Sequence, residues 1–217
     1  MPTSTRFLVD PSERTIDETC PRCGEKLLEF DIPFMGNTVT VSDCPACMVR
    51  RANEEKVERD SRALHASRMR EAGVPATLAG AKPDDSSLPH LVAGGSMWLA
   101  GERAVSKACA LLASWVDTGR SALYTTDYAV YHMDAAAVER CFNAGLVLVD
   151  GVGKSNPGLW GGSRLCAILD SRQKSGKPTI VASIMTPASA VSNISATDPA
   201  AASGIKAVVK GWQGVKA

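Results

Sequence analysis

The stretch LAGERAVSKACALL, residues 99–112, decides the fold: an apolar run ends at Gly101, Lys107 stands six residues later, and an apolar segment with helical spacing follows. Strand, glycine, lysine and helix in this order outline a phosphate-binding loop, G-x-x-x-x-G-K-[ST]. Such a loop holds phosphate because successive backbone N–H groups point inward at it, which requires glycines that allow unusual dihedrals and close approach. Ser106 stands where the second glycine should be, adding a side chain where the backbone should be bare. Ala108 takes the place of the hydroxyl residue and cannot ligate magnesium. Glu102 sets a negative charge at the start of the loop. Lys107 keeps its point charge for a phosphate, with the alternative that it is an ordinary solvated lysine on a helix. A cradle of this composition predicts poor nucleotide binding.

Working outward, apolar strands and helices alternate. SMWLAG (96–101), SALYTT (121–126), LVLVDG (146–151) and PTIVASI (178–184) have the short, apolar character of buried strands. Between them, residues 104–119, 134–145 and 161–176 have helical spacing. Strands alternating with helices of this length predict a parallel sheet covered on both faces. Asp150 ends the LVLVDG strand, where an aspartate can hold a metal ion through water. Gly151 follows it, so no acid is present there to position an attacking water.

The cysteines form two groups. Cys20 and Cys23 make one C-x2-C knuckle, Cys44 and Cys47 a second, with twenty residues between them. Four thiolates in this pattern can hold one zinc ion tetrahedrally, leaving no open coordination position, so the metal is expected to be structural. Too few apolar residues surround these cysteines for them to be core thiols, and zinc can supply on the order of 10 kcal/mol of folding energy. KLLEFDI and NTVTVSD between the knuckles alternate apolar and polar residues and predict a hairpin that turns at Met35-Gly36-Asn37. Cys109, Cys141 and Cys166 lie on apolar helical faces and are expected to be buried thiols without a role.

Residues 48–72 contain no Gly or Pro, and Glu55–Arg59 and Glu58–Arg62 stand in the favourable i,i+4 order, predicting a solvated helix stopped by Gly73. His65 is expected to be an exposed histidine on that helix. A four-cysteine ribbon, a charged helix, then RMREAGVP before a loop like the one above resembles, in order from about residue 20 to 194, the DnaC, DnaI and IstB group of AAA+ proteins. These are helicase loaders and transposition regulators of bacteria and their phages. The resemblance implies an α/β fold: a zinc ribbon over 1–50, a charged linker helix over 51–74, and a parallel-sheet P-loop core over 75–217 lacking most of the lid. It places a vestigial nucleotide site at Gly101, Lys107, Asp150 and Arg172, the arginine directed toward a neighbouring subunit's nucleotide. The group's TSN at the end of the fourth strand is here Ser183 followed by Ile184, and the residues after Ile194 include no lid arginine. The lost glycine, hydroxyl, acid and lid together weigh against ATP hydrolysis and leave ATP/Mg2+ doubtful as cofactors, since one such group commonly contributes about 3 kcal/mol to the transition state.

The implied partners are a replicative DNA helicase, bound as adaptor, loader or inhibitor, single-stranded DNA, and a homologous active AAA+ subunit. Two alternatives stay open: a weak but active AAA+ ATPase, and a zinc-ribbon nucleic-acid-binding regulator. Charge bears on the second. Residues 1–47 carry four basic and eight acidic side chains, residues 151–217 eight and two, so only the C-terminal third suits a nucleic-acid backbone. The four tryptophans are spread along the chain, and core packing is expected for most of them. No run of eighteen apolar residues offers a membrane span, the N-terminus lacks the order of a signal peptide, and a cytoplasmic protein (host cytoplasm for a phage product) is expected.

Overall fold

The computed structural model describes residues 14–34 and 37–217, and the chain divides into two compact units, Met1–Arg62 and Ala63–Ala217. The first unit holds an antiparallel three-stranded sheet, β1 (Arg14–Thr19), β2 (Lys26–Phe34) and β3 (Asn37–Asp43), followed by the start of helix α1 (Pro45–Glu71). Phe34 pairs with Asn37, so the β2–β3 hairpin has the expected register. Its turn at Met35-Gly36 and the N-terminal segment 1–13 lie outside the described residues. Strand β1 was not anticipated, because RTIDET offers only one apolar side chain to a period-two pattern.

The division between the units falls within α1. Its last turns belong to the second unit: Met69 is fully buried there, and His65 Nδ1 lies 2.8 Å from Asp117 Oδ1. The solvated helix expected over 48–72 is thus solvated along most of its length and anchored at its end. His65 is partly buried, with its Nδ1 within hydrogen-bond distance of the Asp117 carboxylate, rather than free in solvent. Gly73 stops the helix with φ +80°, a conformation that a side chain would strain.

The second unit is built from α2 (Leu88–Val92), β4 (Met97–Ala100), α3 (Ala104–Asp117), β5 (Ala122–Thr126), α4 (Asp127–His132), α5 (Ala135–Asn143), β6 (Leu146–Asp150), α6 (Gly158–Lys174), β7 (Thr179–Ser183), α7 (Pro187–Ser195), α8 (Pro199–Val209) and β8 (Gln213–Lys216). Its five strands are all parallel in the order β5-β6-β7-β4-β8. Alternate side chains enter two cores. Met97, Leu99, Leu146, Leu148, Ile180 and Ala182 pack with α3 and the end of α1. Trp98, Val147, Val149 and Val181 pack with α4, α6, α7 and α8 on the other face. Burial on both faces is why these strands read as continuous apolar runs.

All four expected strands and all three expected helices of this region form. The short α2 and α4 and everything after β7 were not anticipated. The residues after Ile194 build the end of α7, then α8 and the edge strand β8, which pairs with β4. Pro at the first turn and Asp198, which accepts the Ala201 N–H at 3.0 Å, start α8.

Candidate functional site

In the first unit, Sγ of Cys20, Cys23, Cys44 and Cys47 all lie within 4.8 Å of one another. The close pairs, Cys20–Cys47, Cys23–Cys44 and Cys23–Cys47, stand at 3.7, 3.3 and 3.7 Å. A tetrahedral zinc with Zn–S bonds of about 2.3 Å needs sulfurs ~3.8 Å apart, so the four thiols fit one such ion. The surroundings act on these thiols in both directions: the Glu25 amide favours the Cys23 thiolate, but the neighbouring Cys44, Cys47 and Cys20 thiols and desolvation outweigh it and push Cys23 up to about 12. The amides of Arg22 and then Cys23 pull the Cys20 thiol down to about 7. Gly24, at φ +77°, makes the tight turn after Cys23, and its N–H donates to the Cys20 carbonyl at 2.8 Å. The Asp43 carboxylate accepts the Cys44 N–H at 2.8 Å. Arg50 Nη2 donates to Cys47 Sγ at 3.3 Å, offsetting negative charge on the cluster. Arg50 is a residue that the motif alone does not reveal, although its place one helical turn after Cys47 on α1 brings it to the sulfur.

In the second unit, connections from β4 and β7 leave toward opposite faces of the sheet. In parallel α/β sheets the carboxyl ends of such neighbouring strands are where ligands bind. Gly101, Ser183 and Asp150 stand there, at the ends of β4, β7 and β6. Hydrogen bonds join the strand ends and the loops that leave them. The Gly101 N–H donates to the Ser183 carbonyl at 2.9 Å and the Gly151 N–H to the Ala182 carbonyl at 2.8 Å. Ser183 Oγ donates to the Val152 carbonyl at 2.8 Å and accepts the Met185 N–H at 3.0 Å.

The stretch that suggested a phosphate loop connects β4 to α3 with three residues, Gly101–Glu102–Arg103. Ser106 and Lys107 are therefore helical, and the Lys107 N–H donates to the Arg103 carbonyl at 2.9 Å within the first turn. Gly101 has φ +123°, and the space a Cβ would need is taken by the Ala217 carbonyl, whose own N–H donates to the Ala100 carbonyl at 2.7 Å. The glycine makes room for the chain's own β8 strand. Asp150 Oδ2 accepts the Tyr124 hydroxyl at 2.8 Å, and burial together with that carboxylate raises the Tyr124 phenol well above its ordinary value. Burial, with a smaller contribution from Asp150, likewise pushes the Cys109 thiol up to about 11, so it is inert at neutral pH.

Arg172 corrects an expectation. It is 1 % exposed and lies at the opposite end of the sheet from Gly101, Lys107 and Asp150. Its guanidinium donates to Thr179 Oγ1 and to the carbonyls of Cys141, Ala144, Gly145 and Pro178, over 2.6 to 3.3 Å. It ties the end of α6 to the starts of β6 and β7 and cannot reach a neighbouring subunit's nucleotide. Desolvation lowers it to about 10, which leaves it charged at neutral pH. The resemblance to the DnaC, DnaI and IstB group implied a role for Arg172 toward that nucleotide; its burial and its five acceptors make it a tie within the fold instead. Trp98 and Trp115 are buried and Trp212 packs partly buried against the second core, as expected for most of the tryptophans, while Trp160 stands 71 % exposed.

A parallel sheet of this strand order, with its first strand between the last two and helices on both faces, is a doubly wound α/β core. Among solved structures it superposes on DnaI with TM-score 0.52 and 11 % identity, over 60 % of this chain and 80 % of that one. The core thus shares its fold with DnaI. A DNA replication initiation factor gives TM-score 0.47 at 15 % identity, and AMPPCP-bound DnaA from Aquifex aeolicus 0.45 at 13 %. The matches cover 61 % and 57 % of this chain but 43 % and 39 % of those proteins, so the chain spans less than half their length. No family model and no curated protein matches the sequence.

Replacing Arg172 by Ala or Lys is expected to lower stability by about 3 kcal/mol, because several buried carbonyls lose their donor at once. Urea unfolding followed by tryptophan fluorescence checks this. The same variants are expected to leave the ATPase rate of any mixed assembly unchanged per folded molecule.

Proposed function

We propose that this chain is a replication accessory protein that binds the replicative DNA helicase as an adaptor, loader or inhibitor, and does so without hydrolysing ATP. The DnaI-like fold of the core supports the replication setting. One observation carries the second half: β4 passes into α3 in three residues, with Ala217 packed against Gly101. A phosphate cradle needs several free backbone N–H groups in a loop, and here that segment is already helix. Asp150 is engaged by the Tyr124 hydroxyl, and Gly151 after it offers no side chain to organise an attacking water.

The four cysteines suit a structural zinc, since all four coordination positions come from the protein. The metal would hold the β-ribbon and the start of α1 together as a presenting surface for the helicase. Single-stranded DNA and a homologous active AAA+ subunit are further partners for the core in this reading. Among the described residues no helix is long and apolar enough to cross a membrane.

Immobilised full-length protein is expected to retain the purified replicative helicase, and Cys44→Ser to lose both the bound zinc, about one ion per chain by atomic spectroscopy, and that retention. Failure to retain any replicative helicase would overturn the proposal. A fluorescent ATP analogue is expected to show no magnesium-dependent saturation, with Lys107→Ala indistinguishable from the unmodified chain. Micromolar binding abolished by Lys107→Ala would instead establish a working nucleotide site.

A further inference from the structure

The α7–α8 hairpin carries an open groove of about 710 Å³ that the proposed function does not use. Its floor comes from Ala188 and Val191 on α7 and Ala202 and Val209 on α8, with Lys206 and Lys210 among the residues lining it. The α7 residues recur at spacings of three and four, as do those of α8, so each helix contributes one continuous face. A second recess of about 450 Å³ shares Pro187 with the first and adds Val215, Lys216 and the 64 % exposed Ile184. The two together form an apolar trough along α7 and α8 that opens toward β8.

Charge selects the occupant. From Ile184 to Ala217 the charged side chains are Asp198, Lys206, Lys210 and Lys216. Asp198 is buried, its carboxylate accepting the Ala201 N–H and the Ser163 hydroxyl, each at 3.0 Å. The exposed charge of this surface is therefore three lysines and no acid. The eleven residues of α8 extend about 16 Å at about 1.5 Å per residue, the length of three turns of a partner helix.

We propose that this trough binds an acidic amphipathic helix of a partner protein, its apolar stripe seated on Ala188, Val191 and Val209 and its carboxylates facing Lys206, Lys210 and Lys216. Apolar anchors at i, i+4 and i+7 match a groove lined by two parallel faces, and flanking acids match the lysines. The chain's own longest helix does not complement the trough, because α1 carries seven basic and five acidic residues. Single-stranded DNA is disfavoured by the floor: the one tryptophan lining the second recess, Trp98, is buried and its indole N–H is committed to the Met185 carbonyl at 3.1 Å. The inference goes beyond the helicase-adaptor reading and does not depend on it.

The test is fluorescence anisotropy with the full-length protein and a labelled peptide of about eighteen residues, long enough to be helical, with leucines on one helical stripe and glutamates elsewhere. Controls are a scramble of the same composition, a version with lysine for glutamate, and oligothymidylate. The acidic amphipathic peptide is expected to bind at least about tenfold more tightly than its scramble, a difference of about 1.4 kcal/mol. Val191→Arg and, separately, the surface variant K206E/K210E are each expected to weaken it about tenfold, with unchanged circular dichroism melting. Equal binding of the scramble would reduce the effect to net charge and overturn the proposal. So would tighter binding of oligothymidylate, or self-association abolished by Val191→Arg, which would assign the trough to DNA or to a second copy.

Discussion

Strands β4, β6 and β7 send alternate side chains into two separate cores, and neither core can close unless a helical layer covers its own side of the sheet. Leu99, Leu148 and Ile180 need α3 and the end of α1, while Trp98, Val149 and Val181 need α6, α7 and α8. At roughly 25 cal/mol per Å² of apolar surface removed from water, a sheet left bare on one face would forgo much of its stabilisation. The order of the strands follows from this demand. The β4–β5 connection lays α3 on one face, the connections after β5 lay α4 to α8 on the other, and the last of them delivers β8 to the free side of β4.

That same closure explains the fate of the segment around Gly101. Once β8 pairs with β4, the Ala217 backbone occupies the space that glycine leaves open, and the short connection lets α3 begin at Ala104. At this end of the sheet, backbone hydrogen bonds continue the pairing of β4, β6 and β7 past the strands. At the other end, the buried Arg172 guanidinium serves five acceptors and fastens α6 to the sheet. A charge without a carboxylate partner is tolerated there because carbonyl dipoles converge on it.

The parts of the sequence that could be read directly were those whose pattern is local. LVLVDG and PTIVASI are strands in any context that buries both faces, and C-x2-C pairs carry their geometry within four residues. β1 and β8 escaped notice because RTIDET and QGVK are edge strands held by backbone pairing and lack an apolar run in the sequence. α7 and α8 are rich in Ala and Ser, whose weak periodicity shows only when both helices pack against α6 and against each other.

Sequence by itself determined the alternation of strand and helix, the four-thiol cluster and the ends of α1, because spacing, capping and proline or glycine placement act over a few residues. Tertiary structure alone decided the meaning of single polar residues. Lys107 and Arg172 look alike in the sequence as cations at helical positions. One stands in a half-exposed first turn, and the other is desolvated beneath the sheet with five hydrogen bonds. A side chain's role depends on which carbonyls, carboxylates and solvent surround it, and residues distant in the chain supply all of these.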